Sequence, residues 1–224
     1  MIEARKKQNV VEIVPAIRDR LEKVFKNSKD SYSNILRTQK YLPTRDQIGF
    51  TERNLTLYFC HHYLEERNDN IDNLIVWQEM PLKKNARQHI DSIIIDKDKD
   101  KNEVSIFYIE AKRVYDKSFI YGDKSSLKND STRIREQYKN IPGYEELIRT
   151  NNSIHHYEVL LAGLEIRKNQ KEKTITSRMD ALNRFPKDFG LEDFCYFINL
   201  KDIPNKEELD EYRIYMYLRT RWRN

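Results

Sequence analysis

The stretches that decide the fold are QHIDSIII (88–95) and VSIFYIEAKRV (104–114). Each is a short apolar run rich in β-branched and aromatic residues, the composition of a buried strand. Each also carries charge. Asp91 sits among Ile90, Ile93, Ile94 and Ile95, while Glu110 and Lys112 close the run Val104, Ile106, Phe107, Tyr108 and Ile109. A carboxylate inside a strand core must be paired or must hold a metal, because burying it alone costs too much. The link DKDKDKN (96–102) reads as a solvated turn, so the two strands are expected to form an antiparallel hairpin. The two-residue period of a strand puts Glu110 and Lys112 on one face.

Working outward, NLIVWQEM (73–80) reads as a preceding strand. Before it, Thr51 is a candidate cap for a helix running to about Arg67, with Leu55, Tyr58, Phe59, His62 and Tyr63 on one side. Pro15 starts an amphipathic helix bearing Ile17, Leu21, Val24 and Phe25. A second, weaker helix is expected over 32–41, ending before Pro43. Downstream, GDKSSLKND (122–130) reads as a polar loop, and Asp130 or Ser131 as the cap of a helix bearing Ile134, Tyr138 and Ile141. His155 and His156 read as a turn, 157–166 and 195–200 as strands, and 178–185 as a short helix. EYRIYMYLRTRW (211–222) alternates as a strand does, a helix being the other option.

This order predicts an α/β fold, a central mixed sheet flanked by helices with an N-terminal helical extension. Residues 1–224 read as one domain: 1–45 the extension, 51–166 the core, and 167–224 completing the domain or supplying a dimer surface. The chain is 34% charged yet foldable, with 14 Tyr and 9 Phe. Its 41 basic and 36 acidic residues leave a net charge of +5, which permits a polyanionic partner without requiring one. Cys60 and Cys195, far apart and each among aromatics, make no disulfide framework and are expected as buried free thiols in a reducing compartment. No apolar run approaches ~18 residues and the N-terminus lacks a leader-like stretch, so the expected location is the cytoplasm. With 5 Gly and no Gly-rich phosphate loop, a nucleotide P-loop is excluded. No cysteine–histidine spacing suggests zinc.

The hairpin's charges suit one chemistry in particular. Hydrolysing a phosphodiester needs an ionised water, neutralised phosphoryl oxygens and help for the leaving oxygen. A hard divalent ion held by one or two carboxylates supplies much of that. Asp91 and Glu110 on neighbouring strands are the candidate ligands, with the backbone carbonyl of Ala111 as a further one. Lys112 beside them would orient the attacking water and offset charge in the transition state.

Asp91, eighteen intervening residues, then Glu110-Ala111-Lys112 resembles the PD-(D/E)XK nuclease superfamily, the restriction-endonuclease-like fold. The resemblance covers roughly residues 51–141. Glu52, in TERNLTLYF, is similar to the early helix acid of that family, which joins the metal site directly or through water. Gln137, in STRIREQYKNI, is similar to a glutamine that some subfamilies carry on the next helix. The residue before Asp91 is Ile90 where the family motif has proline. The resemblance implies a Mg²⁺-dependent nuclease, with Mn²⁺ able to substitute. Its partner would be DNA, with RNA left open, and its role restriction, defence or repair, as a possible homodimer.

Bland readings stand beside these. Asp91 and Glu110 could be structural ion pairs, Lys112 a strand-end residue, and Glu52 a dipole-favoured first-turn acid. Glu79, ending the first strand, is a rival for the additional acid. His61 and His62 read as core or surface packing ahead of a helix metal ligand, and His89, on the same strand face as Asp91, as flanking the site or sitting at the strand entrance. Lys83, Lys84, Arg87, Arg113, Lys117, Lys124, Lys128, Arg133 and Arg135 are candidate phosphate contacts or dispersed surface charge. The alternative function is a non-catalytic nucleic-acid-binding or protein-interaction domain that keeps the fold.

Overall fold

The computed structural model describes residues 15–38, 52–67, 72–82, 89–123, 126–167, 170–199 and 209–220. The helices are α1 (Pro15–Thr38), α2 (Glu52–Glu66), α3 (Ser118–Tyr121), α4 (Leu127–Gln137), α5 (Tyr144–Thr150) and α6 (Glu172–Phe189). The strands are β1 (Leu74–Pro81), β2 (His89–Asp98), β3 (Glu103–Arg113), β4 (Ser153–Arg167), β5 (Glu192–Asn199) and β6 (Leu209–Thr220). They form one mixed sheet in the order β1-β2-β3-β4-β6-β5, with only the β3–β4 pair parallel.

Alternation along each strand divides the core. On one face Phe107, Ile109, Ala111, Val159 and Leu161 meet α1 and α2 through Leu21, Phe25, Leu55, Phe59 and Tyr63. On the other, Ile93, Tyr108, Leu160 and Tyr217 meet α4, α5 and α6 through Leu127, Ile134, Leu147, Leu182 and Phe185. The expected α/β architecture, a mixed sheet flanked by helices with a helix at its N-terminal side, is what the chain forms. None of the described helices is long and apolar enough to cross a membrane.

Several local expectations shift. The two helices expected between 15 and 41 are one, because the buried stripe continues without a break from Leu21 and Phe25 to Ser28, Tyr32 and Leu36. Ser28, the polar member, returns its hydroxyl to the Val24 carbonyl at 2.7 Å. Residues 39–41 lie outside the described residues, as do Thr51, Lys83, Lys84, Arg87 and Lys124. The turn expected over 96–102 begins later, since β2 runs on to Asp98 and Asp96 is buried. Helix α5 was not foreseen, and α6 is 18 residues long rather than a short piece. His155 and His156 belong to β4, not to a turn. His156 is buried between the hydroxyls of Tyr108 and Tyr144, each 3.1 Å from one ring nitrogen.

The C-terminal segment is a strand, paired on both sides by β4 and β5, and its tyrosines Tyr212, Tyr215 and Tyr217 are buried core residues. Gly163 on β4 is where Tyr212 crosses; a Cβ there would run into the tyrosine hydroxyl. Both cysteines are free, Cys60 buried and Cys195 half-buried.

Candidate functional site

The site lies where β2 and β3 part. Their ladder runs from Asp98↔Glu103 to Ser92↔Ile109, and β3 then continues to Arg113, paired only with β4. Two carboxylates take over the freed edge. Asp91 Oδ2 accepts the Ala111 N–H at 2.9 Å, and Glu52 Oε1 accepts the Arg113 N–H at 2.9 Å. In an extended strand the N–H and C=O of one residue point the same way, so the Ala111 carbonyl opens toward Asp91 as well. Glu52 reaches this edge because it is the first residue of α2, which Leu55, Phe59 and Tyr63 anchor across the sheet.

Glu110 and Lys112 lie on the α4 face, as the period of two requires. Glu110 is 1% exposed and Lys112 9%. Over them lies α4. Its apolar residues Leu127 and Ile134 are two turns apart, and Asp130 falls between them on the same buried stripe. Asp130 Oδ2 stands 3.2 Å from Lys112 Nζ, close enough for an ion pair though not aligned as a hydrogen bond. Arg133, one turn on, donates from its guanidinium to Glu110 Oε1 and lies 3.1 Å from Asp130 Oδ1. Four carboxylates (Glu52, Asp91, Glu110, Asp130) thus share a neighbourhood with two cations (Lys112, Arg133).

That imbalance sets the protonation behaviour. Burial pushes the Glu110 carboxyl well above the usual range, and repulsion from Asp91 and Asp130 adds to it against the pull of Arg133. Burial also raises Glu52, opposed by the Arg113 N–H and Lys112. Asp130 is raised by burial as well, opposed chiefly by Lys112 and Arg133. Burial alone would pull Lys112 down, but Asp130, Glu52 and Glu110 outweigh it and raise the group. Lys112 is therefore an ammonium, suited to orienting and neutralising rather than to taking a proton.

Asp91, Glu110, Lys112, Glu52 and the Ala111 backbone, all named from the sequence, come together here. Gln137, the last residue of α4, is half-buried one turn beyond Arg133. Glu79 turns elsewhere. It has a left-handed backbone (φ 54°), interrupts the β1 ladder opposite Asp91, and its exposed side chain pairs with Arg53 at 3.2 Å.

Neither Asp130 nor Ser131 caps α4, both being buried inside it; Ser126 is the cap, accepting from Asn129 N at 3.3 Å. The signal that could have found Asp130 was its place inside the apolar period of Leu127 and Ile134. Of the candidate basic residues, Arg133 sits in the cluster and Arg113 pairs with Glu165 at 3.3 Å. Lys117 lines an open groove of about 580 Å³ with Lys173, Thr176 and Arg184 between α3 and α6.

An all-oxygen, net-anionic donor set fits a hard divalent cation such as Mg²⁺. Asp91 and Glu52 each use one oxygen on the backbone and keep the other. Among the described residues, however, the three candidate ligands whose atoms lie within 4.8 Å of one another are His61, His62 and Glu65 on α2. His62 there is already engaged, by Glu65 at 2.5 Å and Ser31 at 2.8 Å. The carboxylates of the β2–β3 site are not drawn that tight: Asp91 and Glu52 are held by backbone N–H groups, and Glu110 and Asp130 share Arg133. Comparison with protein-family models finds no match to this chain, and comparison with curated proteins finds none either.

Proposed function

We propose that the chain is a Mg²⁺-dependent nuclease of the restriction-endonuclease-like type, hydrolysing phosphodiester bonds in DNA. The observation that carries this reading is the gathering of Asp91, Glu110 and Lys112 where two neighbouring strands separate, with Glu52 at the same edge and acids outnumbering cations. Asp91, Glu110, Glu52 and the Ala111 carbonyl are the residues that would hold a divalent ion. Such an ion would supply Lewis acidity toward the phosphoryl oxygen and lower the pKa of a bound water. The Lys112 ammonium orients the attacking water and takes up charge as it develops on the phosphoryl oxygens. The backbone anchors on Asp91 and Glu52 fix the direction of their outer oxygens. Burial of Glu110 keeps bulk water from competing.

The test is cleavage of plasmid, linear and single-stranded DNA, and of RNA, with Mg²⁺ or Mn²⁺, beside Lys112→Ala. Wild type should cut and Lys112→Ala should be slower by about a hundredfold or more, the usual weight of a positioned proton-handling or charge-stabilising group. A wild type that cuts nothing, or a mutant that cuts equally well, overturns the reading.

A second reading has its own observation. Lys112–Asp130 and Glu110–Arg133 are internal pairs, as a non-catalytic nucleic-acid-binding or protein-interaction domain on the same fold would make them. That domain would gain no thermal stability from Mg²⁺ or Mn²⁺.

A further inference from the structure

We infer that Arg133 is an exchangeable counter-ion built into α4. It occupies Glu110 when no divalent cation does, and turns to the substrate's phosphate when one is bound. The inference rests on the proposed metal-dependent activity and adds a residue and a regulation to it.

The geometry is specific. Glu110 is buried in the sheet, and its side chain meets the Arg133 guanidinium. The same guanidinium reaches Asp130 Oδ1 at 3.1 Å, while the other Asp130 oxygen faces Lys112. Asp130 is thus a hinge of charge. It holds Lys112 through one oxygen and Arg133 through the other, and is itself buried at 2% exposure. Arg133 is the most exposed of the three. Its side chain keeps 24% exposure against 2% for Glu110 and 3% for Asp130, so its end can leave the pocket without moving a strand. Its Nε is buried without a hydrogen-bond partner among the described residues. The fork is therefore not fully used where it stands, although it could donate five N–H groups.

A divalent ion and a guanidinium compete for the Glu110 carboxylate, because two positive charges beside one buried acid repel each other. Binding of either weakens the hold of the other, and a guanidinium released from Glu110 stays beside Asp130, where it can pair with a phosphate oxygen. Arg133 would then lower resting metal affinity while raising the rate once metal and substrate are present. A purely structural ion pair would not give a slower rate at saturating metal together with tighter metal binding.

The experiment measures Mn²⁺ affinity at pH 8 by calorimetry and Mn²⁺-induced thermal shift, without substrate, on wild type, Glu110→Gln, Arg133→Ala and Arg133→Lys, each first shown folded. Cleavage of duplex DNA at saturating Mn²⁺ is measured alongside. Arg133→Ala should bind Mn²⁺ about tenfold more tightly, the equivalent of one lost competing charge-assisted hydrogen bond. It should also cut more slowly, with Arg133→Lys intermediate in both. Unchanged or weaker Mn²⁺ binding in Arg133→Ala, with wild type still binding and cutting, overturns this inference and leaves the nuclease reading standing. Wild type failing to bind Mn²⁺, or Glu110→Gln binding as well as wild type, overturns the nuclease reading itself. Should Arg133→Ala not fold, Arg133→Lys and Arg133→Gln carry the same comparison.

Discussion

The two ends of β2 each bury an aspartate's surroundings, and they do so in opposite ways. At one end Asp96 is answered in full: Tyr63 donates at 2.8 Å, Arg67 at 2.9 Å and Arg20 at 3.4 Å. One carboxylate faces two guanidiniums and a phenol, all from the α1–α2 face. At the other end Asp91 joins Glu52, Glu110 and Asp130 around two cations. A buried acid is therefore no sign of chemistry by itself. What separates a structural charge from a candidate site is the local balance between acids and the groups that answer them.

That difference can be broken at its strong end. Asp96→Asn strips the counter-charge from two partly buried arginines and should cost about 3–5 kcal/mol in urea unfolding, the range for breaking a buried pair. Cleavage per folded molecule should be unchanged; a matching loss of activity would erase the distinction between the two ends.

A third acid sharpens it. Glu158 on β4 is fully buried beneath α4, with Arg219 at 3.3 Å but neither carboxylate oxygen in an aligned hydrogen bond. Burial raises it to about 7, against the opposing pull of Arg219. Because the folded value lies above the unfolded one, the fold holds this proton more tightly. The associated stability is present below about pH 4.5 and is lost as pH rises to about 7. The loss is on the order of 3 kcal/mol. Thermal melts of wild type should decline across that window, and Glu158→Gln should decline less. Parallel curves would mean that Arg219 balances Glu158 as fully as its partners balance Asp96.

The smallest effect touches the crowded end alone. Ser126→Ala removes the cap of the helix that carries Asp130 and Arg133, and should cost about 1 kcal/mol. Amide exchange should quicken in the first turn of α4 and stay unchanged at Asp96.

The sequence made β2, β3 and β4 legible because their runs are apolar and rich in β-branched or aromatic residues, and β6 legible through its alternation. It made Asp91, Glu110 and Lys112 legible because charge interrupts those runs. It did not reveal Asp96, whose burial depends on Arg20 and Arg67, 76 and 29 residues away. The same blindness hid Asp130. In isolation an aspartate near a helix start reads as a cap, and only β3 beneath it makes it a partner of Lys112. The single length of α1 is hidden in sequence because residues 27–31 are all polar, although Ser28 and Tyr32 keep the buried stripe going.

The freed edge of β3 has one more consequence. The N–H groups of Ala111 and Arg113, which a neighbouring strand would have taken, are taken by Asp91 and Glu52 instead. Folding of the backbone ties each of those side chains down through one hydrogen bond, before any ligand arrives. Their ordering entropy, about 0.5–1.5 kcal/mol for each immobilised side chain, is charged to folding rather than to binding. Whatever meets their outer oxygens finds them already aimed.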